Sequence, residues 1–395
     1  TWSYVQNKLD GILNVPKATS HGKRISTRDL ILNIKKKYPE NLTIKTHTLA
    51  HKVIFDENNR AVGVEVVENP SENNLYEASP NYSKSFVKNK KTYKCHREVI
   101  LAGGVFNSPQ ILMLSGIGEV NELSKHGIEA KVSLPGVGKN LQDRYEISVC
   151  SEMKEDFTLL KNCTFGKEGD PCLVDYRKDP QSSVYGTNGV ISSLIKTSAG
   201  RKGDPDLFIF GLPGMFKGYY KGWSAEALKR NYFTWAILKG HTQNKSGTVT
   251  LKSSSPFERP EVIFRYFQDS RESYHDDLDA LMEALEMARN INKRMKSSIK
   301  KEIYPGKDIK NYPELRNWIQ KEAWGHHASC TNKIGADNDP LSVLDSKFRV
   351  RGTTGLRVVD ASSFNKIPGL FIVLPIYMIA EKAAEDIISD AEIFE

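Results

Sequence analysis

Two adjacent histidines, His326 and His327, are the side chains of this sequence best suited to moving a proton. An imidazole with a pKa near ~6.5 can accept a proton at neutral pH. Tandem histidines without acidic partners are a poor signature of a metal site, so we predict no metal here. Since a lone histidine is more often structural than catalytic, both interpretations stay open at this point.

A predicted strand that runs into two glycines is the second feature with chemical potential. Lys94 to Leu101 reads as a strand that ends in Ala102-Gly103-Gly104, where the backbone can approach a ligand closely because no Cβ intervenes. Asn107-Ser108-Pro109 then has the pattern of a helix start, with a capping side chain and a proline in the first helical position. Ser115-Gly116 would end that helix. An ordinary strand–turn–helix connection explains the same residues.

An acid, Asp360, follows the apolar pair Val358-Val359, which predicts a buried strand. An acid at the end of such a strand either caps the next element or meets a ligand hydroxyl. The residues alone leave both roles open.

Four collinear segments resemble the glucose–methanol–choline (GMC) family of FAD-dependent oxidoreductases. They are residues 102–118, 134–143, 343–362 and 380–384. The resemblance implies an α/β fold, in which an incomplete Rossmann-like FAD-binding domain carries an inserted antiparallel β-sheet and helix substrate domain.

The resemblance also implies roles for individual residues. His327 precedes Thr331 by four residues, which is the register of the family's catalytic histidine, and His326 would line the pocket. The remaining matches lie along the FAD: Ala50 at the adenine, Gly103 and Gly104 near the cofactor, Asn107 near the isoalloxazine, and Asp360 with Ala361 over the ribityl and pyrophosphate region.

The function implied is oxidation of a CH–OH group of a small-molecule alcohol. Hydride would pass to flavin N5 while His327 takes the hydroxyl proton, and oxygen or a carrier would accept the electrons. Two other interpretations remain. The chain could be a catalytically silent subunit that keeps the fold, or it could resemble the family's hydroxynitrile lyases, which keep FAD without using its redox chemistry.

The sequence departs from the family pattern at two places. Phe371 stands where most members have a second histidine or asparagine, and the apolar run around it predicts a dry flavin face. The GxGxxG fingerprint that binds a dinucleotide pyrophosphate does not occur in residues 1–40. We therefore expect this chain to be the C-terminal two-thirds of an enzyme. The N-terminal FAD-binding fragment that carries the motif would be a companion chain, after a nick or a gene split, or a part of the protein that this sequence omits.

The Gly-rich pattern indicates three segments. Residues 1–144 would be the first part of the FAD-binding domain, 145–322 the substrate-binding domain, and 323–395 a return segment that carries the catalytic histidine. Within them we predict helices at Ser26–Tyr38, Ser270–Lys293 and Tyr377–Ser389, a strand at Leu42–Thr48, a hairpin from His51 to Val67, and a polar loop from Asn69 to Lys91.

Composition excludes several classes of protein. The formal charge is +8, but 48 acidic residues stand against 56 basic ones, which indicates a mildly basic surface and no nucleic-acid partner. The longest apolar stretch, Gly369 to Ala380, is shorter than the roughly twenty residues that a membrane span needs. Cys163 and Cys172 are close enough in sequence for a disulfide, and two free thiols are an equal alternative.

Overall fold

The computed structural model describes residues 7, 10–15, 17–68, 90–165, 167–187, 189–227, 229–268 and 274–392. The predicted loop from Asn69 lies outside these ranges except for its last two residues, Lys90 and Lys91, which are in a strand. Residues 270–273 of the predicted long helix also lie outside them.

The chain divides into two compact units. Unit 1 comprises Thr1–Ile44, Arg144–His241 and Tyr274–Gly325, and unit 2 comprises Lys45–Asp143, Thr242–Ser273 and His326–Glu395.

The strands of the described residues are β1 Gly11–Leu13, β2 Thr19–Ser20, β3 Lys23–Arg24, β4 Thr48–Phe55, β5 Ala61–Glu68, β6 Lys90–Lys94, β7 Val99–Leu101, β8 Ile117–Gly118, β9 Val132–Ser133, β10 Tyr145–Met153, β11 Ser192–Lys196, β12 Leu207–Leu212, β13 Tyr232–Lys239, β14 Thr248–Thr250, β15 Glu261–Ile263, β16 Ile299–Tyr304 and β17 Leu356–Val358. The α-helices are α1 Thr27–Lys37, α2 Gly104–Leu114, α3 Val120–Ser124, α4 Pro171–Lys178, α5 Trp223–Ala227, α6 Tyr274–Arg294, α7 Tyr312–Glu322 and α8 Val373–Glu392. Short 3-10 helices occupy Thr158–Leu160, Val184–Thr187 and Ala361–Ser363.

Unit 1 is built on an antiparallel sheet of six strands in the order β1-β11-β12-β13-β10-β16. Helix α6 packs against β10, β12 and β13. It buries the face that its sequence predicts, with Leu278, Leu281, Leu285 and Ala288 all removed from solvent. A disulfide joins Cys163 to Cys172 in this unit, which decides between the two alternatives left by the sequence.

The units are discontinuous in sequence. Residues 1–44, assigned above to the FAD-binding domain, fold with unit 1 because β1 pairs with β11, Gly11 lying opposite Ile195. Residues 242–273, assigned above to the substrate-binding domain, fold with unit 2, where Val249 of β14 packs against Leu141. The chain passes from unit 2 to unit 1 at Arg144, next to the boundary predicted there.

Unit 2 contains the parallel pair β7–β17, which lies beside the antiparallel sheet β4-β5-β6. The predicted hairpin and the predicted buried strand before Asp360 are both present, as β4–β5 and β17. The predicted strand at Leu42–Thr48 is wrong, since regular structure begins only at Thr48. His47 has a φ of 52°, a left-handed conformation that interrupts extended backbone.

The first and last predicted helices are present. Ser26 caps α1 through a capping box with Asp29, as its sequence indicates. Helix α8 begins at Val373, four residues before the predicted start, and Phe371 lies just ahead of it. None of the described helices is both long enough and apolar enough to cross a membrane.

Candidate active site

Helix α2 begins earlier than the sequence predicts. It starts at Gly104 with Gly103 in the capping position, so Pro109 lies inside the helix rather than at its first position. A proline has no N–H, and the carbonyl of Val105, four residues earlier, therefore loses its helical donor. The hydroxyl of Thr331 replaces that donor and bonds the Val105 carbonyl oxygen at 2.6 Å. This contact from a distant segment explains why the local prediction is wrong.

Asp360 ties the start of α2 to the end of β17. Its Oδ2 accepts hydrogen bonds from the Gly104 N–H (3.0 Å) and the Ser108 hydroxyl (2.6 Å), and its Oδ1 accepts one from the Ser362 N–H (2.7 Å). The Ser108 hydroxyl oxygen also accepts the Gly103 N–H at 3.0 Å. Asp360 is thus the cap of the following 3-10 helix, one of the two roles left open by the sequence. It is also the cap of α2, which the sequence did not indicate.

The segment that carries the histidines runs along this junction. The N–H groups of Cys330, Asn332 and Ile334 donate to the carbonyl oxygens of the 3-10 helix residues Ala361, Ser362 and Ser363 at 2.8–2.9 Å. With the Thr331 bond to Val105, these contacts connect the glycine turn, the acid and the histidine segment. These are the three features that the sequence analysis singled out for chemistry.

His327 is half-buried and is held at both its backbone and its ring. Its backbone N–H donates to Oδ1 of Asp143 at 2.8 Å. Its imidazole lies edge-on to the ring of Phe371, with 5.4 Å between the ring centroids and 71° between the planes. Asp143 was not predicted as a site residue, although it ends the family segment 134–143. Its burial to 4% exposure could not be read from the sequence.

The surroundings of His326 make it a weaker base than an ordinary histidine. Desolvation by neighbouring protein atoms, with a smaller contribution from the charge of His327, lowers the pKa of His326 to about 4. This holds although much of its side chain is exposed. His326 is therefore neutral at neutral pH, which suits a residue that lines a pocket.

An apolar cluster adjoins the glycine turn. Val105, Leu141, Val249 and Ala361 form its buried centre, and Phe106, Ala328, Phe364, Ile372 and Ile376 pack around them. Asn107 is half-buried in the first turn of α2, next to this cluster in sequence. These residues form an apolar surface beside the histidine segment, whereas Phe371, in the run predicted to be dry, is 37% exposed.

Ala50 lies in β4, paired with Val66 of β5. This strand packs against α2, where the Val53 N–H donates to the hydroxyl of Ser115 at 2.9 Å. Ser115 caps the C-terminal end of α2, whereas Asp360 binds its N-terminal end. The contacts of β4 thus bring Val53, three residues after Ala50, to the opposite end of the helix from Asp360.

The turn at Gly104 tests whether these residues fit FAD. Gly104 has a φ of +85°, and a Cβ added there would meet no atom within 4 Å, so the start of α2 borders open space. The carboxylate of Asp360 already supplies negative charge at this helix end, which disfavours a phosphate there. The open turn and the apolar cluster therefore fit the ring end of FAD better than its pyrophosphate. Among the described residues, no group of three or more potential ligands could hold a metal ion.

Comparison with known proteins identifies the family. Two models described as GMC oxidoreductase match the chain, one for the N-terminal domain at residues 5–146 and one for the C-terminal domain at residues 243–380, together more than half of it. The chain belongs to the GMC oxidoreductase family. The resemblance and the fold class predicted from the sequence are thereby confirmed.

Relatives of this GMC chain include two bacterial proteins named oxygen-dependent choline dehydrogenase. The one from Staphylococcus epidermidis is 32% identical over 382 residues, which cover 92% of this chain and 59% of the relative. The one from Brucella anthropi is 30% identical over 394 residues, covering 98% and 65%. The chain thus spans about three-fifths of the length of these relatives.

Solved structures share the fold. A formate oxidase from Aspergillus oryzae superposes with a TM-score of 0.79 at 23% identity, over 98% of this chain and 67% of the other. A fungal aryl-alcohol oxidase superposes with a TM-score of 0.70 at 19% identity, over 97% and 67%.

The expectation of a C-terminal two-thirds fragment completed by a companion chain is not supported. The N-terminal family model already matches from residue 5, and the S. epidermidis relative aligns over 92% of this GMC chain. That expectation depends on one motif, GxGxxG, whereas the family models match residues 5–146 and 243–380.

Proposed function

We propose that this GMC chain acts in the FAD-dependent oxidation of a CH–OH group, with His327 as the base that takes the hydroxyl proton. The observation that supports the proposal is the attachment of the histidine segment to the Asp360–Gly104 junction, next to an apolar cluster. The oxidation removes a proton from the hydroxyl oxygen and a hydride from the carbon that bears it, so it requires a base and a hydride acceptor close together. FAD, when bound, supplies the two-electron acceptor.

The residues around His327 divide the remaining tasks. Asp143 accepts the backbone N–H of His327, and this bond fixes the position from which the imidazole extends. His326 stays neutral at neutral pH and lines the pocket without competing for the same proton. The ring of Phe371 packs edge-on against the imidazole of His327 and restrains its orientation, and the apolar cluster lies beside this segment.

We propose that Gly103, Gly104, Asn107 and Ala361 border the ring end of FAD, and that Ala50 lies near the adenine. We propose that Asp360 does not bind the cofactor directly. Three protein donors already occupy its carboxylate, so its part is to fix the glycine turn.

The names of the relatives favour a small alcohol as substrate and oxygen as the electron acceptor. Two relatives are named oxygen-dependent choline dehydrogenase, and one structural neighbour is an aryl-alcohol oxidase. We extend to this chain the class of substrate, a small molecule with an oxidisable hydroxyl group, and not choline itself.

Anaerobic mixing of the purified holoprotein with a panel of alcohols tests the proposal. Bleaching of the yellow flavin by at least one alcohol, followed by recovery of colour in air, is the expected result. Colourless protein that binds no FAD would instead favour the catalytically silent interpretation. Release of cyanide from a hydroxynitrile without bleaching would favour a lyase.

A further inference from the structure

Four of the non-glycine residues with left-handed backbone lie in, or next to, segments that are hydrogen-bonded to the histidine segment. Asn140, Arg265, Phe267 and Cys330 have φ values of 63°, 50°, 55° and 79°. Side chains with a Cβ avoid this region because of steric contact with their own backbone. Such residues gather where the surrounding structure holds a functional group in place, so an observed cluster points to a function.

Two of these residues, Arg265 and Phe267, flank Tyr266 and direct its phenol towards Asp143. The Tyr266 hydroxyl donates to Oδ2 of Asp143 at 2.7 Å, and Oδ1 of the same carboxylate accepts the His327 N–H at 2.8 Å. The carbonyl oxygen of Asp143 accepts the hydroxyl of Thr242 at 2.6 Å. A continuous chain of hydrogen bonds therefore leads from Tyr266 through a buried carboxylate to His327.

The backbone around Tyr266 is itself tethered. The side-chain amide of Asn244, which is 4% exposed, donates to the carbonyl oxygens of Phe264 (2.9 Å) and Arg265 (3.1 Å). The Arg265 guanidinium donates to the Ser246 carbonyl oxygen at 2.6 Å. These bonds maintain the left-handed conformation that presents the phenol.

The histidine segment is also bound by Asn140, which lies three residues before Asp143 in the chain. The side-chain amide of Asn140 donates to the Cys330 carbonyl oxygen at 3.2 Å. His327 is thus restrained at its own N–H by Asp143 and, three residues later, by Asn140.

We propose that Tyr266 and Asp143 form a clamp that positions His327 for proton transfer. Both are positioning residues, because Asp143 accepts the backbone N–H of His327 and Tyr266 acts through that carboxylate. The proposal rests on the role of His327 proposed above. A displacement of about 1 Å of a reacting group costs roughly 10²-fold in rate, so loss of the clamp should lower the rate of flavin reduction while substrate still binds.

Rapid-mixing measurements of anaerobic flavin reduction, with the alcohol that reduces the wild-type holoprotein best, test the clamp. We expect the limiting rate constant to fall about tenfold in Tyr266→Phe and about 100-fold in Asp143→Ala, with the alcohol Kd and the FAD content unchanged. Asp143→Asn should recover part of the loss, because its amide oxygen can still accept the His327 N–H.

Tyr93→Phe is the matched control. It removes another bond between a tyrosine hydroxyl and a carboxylate of unit 2, from Tyr93 to Glu68, and should leave the rate constant unchanged. Equal rate constants for Tyr266→Phe, Tyr93→Phe and wild type would overturn the clamp and leave the proposed function standing. Tyr266→Phe decides the matter even if Asp143→Ala fails to fold. A wild-type holoprotein that no alcohol reduces would overturn the proposed function itself.

Discussion

Buried carboxylates serve different purposes around Lys239 in unit 1 and around the histidine segment in unit 2. In unit 1, Asp206 (1% exposed) and Asp277 (0%) both pair with the ammonium of Lys239 on β13, at 3.2 and 3.0 Å. In unit 2, Asp143 and Asp360 accept hydrogen bonds from backbone N–H groups and hydroxyls of separate segments. Asp206 and Asp277 balance a cation on a regular sheet, whereas Asp143 and Asp360 fix the geometry of irregular backbone. Changes at Lys239 should therefore affect stability, and changes at the site should affect rate.

The largest effect that this contrast predicts is on rate. His327→Ala removes the proposed base, and we expect flavin reduction by alcohol to fall by about 10²–10⁴-fold while FAD stays bound. The measurement is the reduction rate constant per bound flavin. An unchanged rate constant would show that His327 is not the base and would contradict the proposed effect of the site on rate.

The largest effect on stability is expected in unit 1. Lys239→Met leaves two buried carboxylates without their cation, and we expect the free energy of unfolding to fall by about 3–5 kcal/mol. Urea denaturation measures this loss, and the reduction rate per bound flavin should stay the same. Lys125→Met, which removes an exposed pair with Glu122, is the control and should change stability by less than about 1 kcal/mol. Equal losses in the two variants would contradict the role given to the buried cation.

A smaller effect is expected from the bond between Thr331 and Val105. Thr331→Val leaves the Val105 carbonyl without a donor, and we expect a loss of about 1–3 kcal/mol in unfolding free energy. In a Pro109→Ala background the helix regains its own N–H donor, so Thr331→Val should lower the free energy of unfolding by a smaller amount. A double-mutant cycle measures the difference. Strict additivity would show that the threonine does not replace the missing helical donor.

The smallest effect concerns pH. The pKa of His326 is about 4 in the folded chain and near ~6.5 in the unfolded chain, so the unfolded chain binds the proton first as pH falls. The contribution of neutral His326 to the free energy of unfolding is fully present above pH ~6.5 and is lost progressively as pH falls towards 4. His326→Gln should therefore lose less stability than wild type between pH 7 and pH 4.5, as measured by urea midpoints. A parallel decline in both proteins would contradict the lowered pKa.

Periodic segments of the sequence predicted their structure well. Local alternation or helical spacing predicted the buried face of α6, the hairpin β4–β5 and the buried strand β17. In such regular elements the spacing of the apolar residues shows which side chains face the core. The start of α2 was wrong for the opposite reason. Pro109 locally favours a helix start, but Thr331 makes it acceptable inside the helix.

The candidate site was predictable only in its family residues. His327 and Asp360 stood out through motifs, whereas Asp143 gained its role from Tyr266 and His327, which lie 123 and 184 residues away in the chain. No local pattern reports such pairings. The left-handed backbone at Arg265 and Phe267 was equally hidden, since neither residue type favours it.

Pro109 has a consequence for the order in which the protein can form. The first turn of α2 lacks one of its own amide donors, and it is completed by a hydroxyl that lies 226 residues later and a carboxylate 256 residues after Gly104. Closing such long loops is entropically costly and slow. During synthesis from the N-terminus, the glycine turn therefore cannot be completed until Thr331 and Asp360 have left the ribosome.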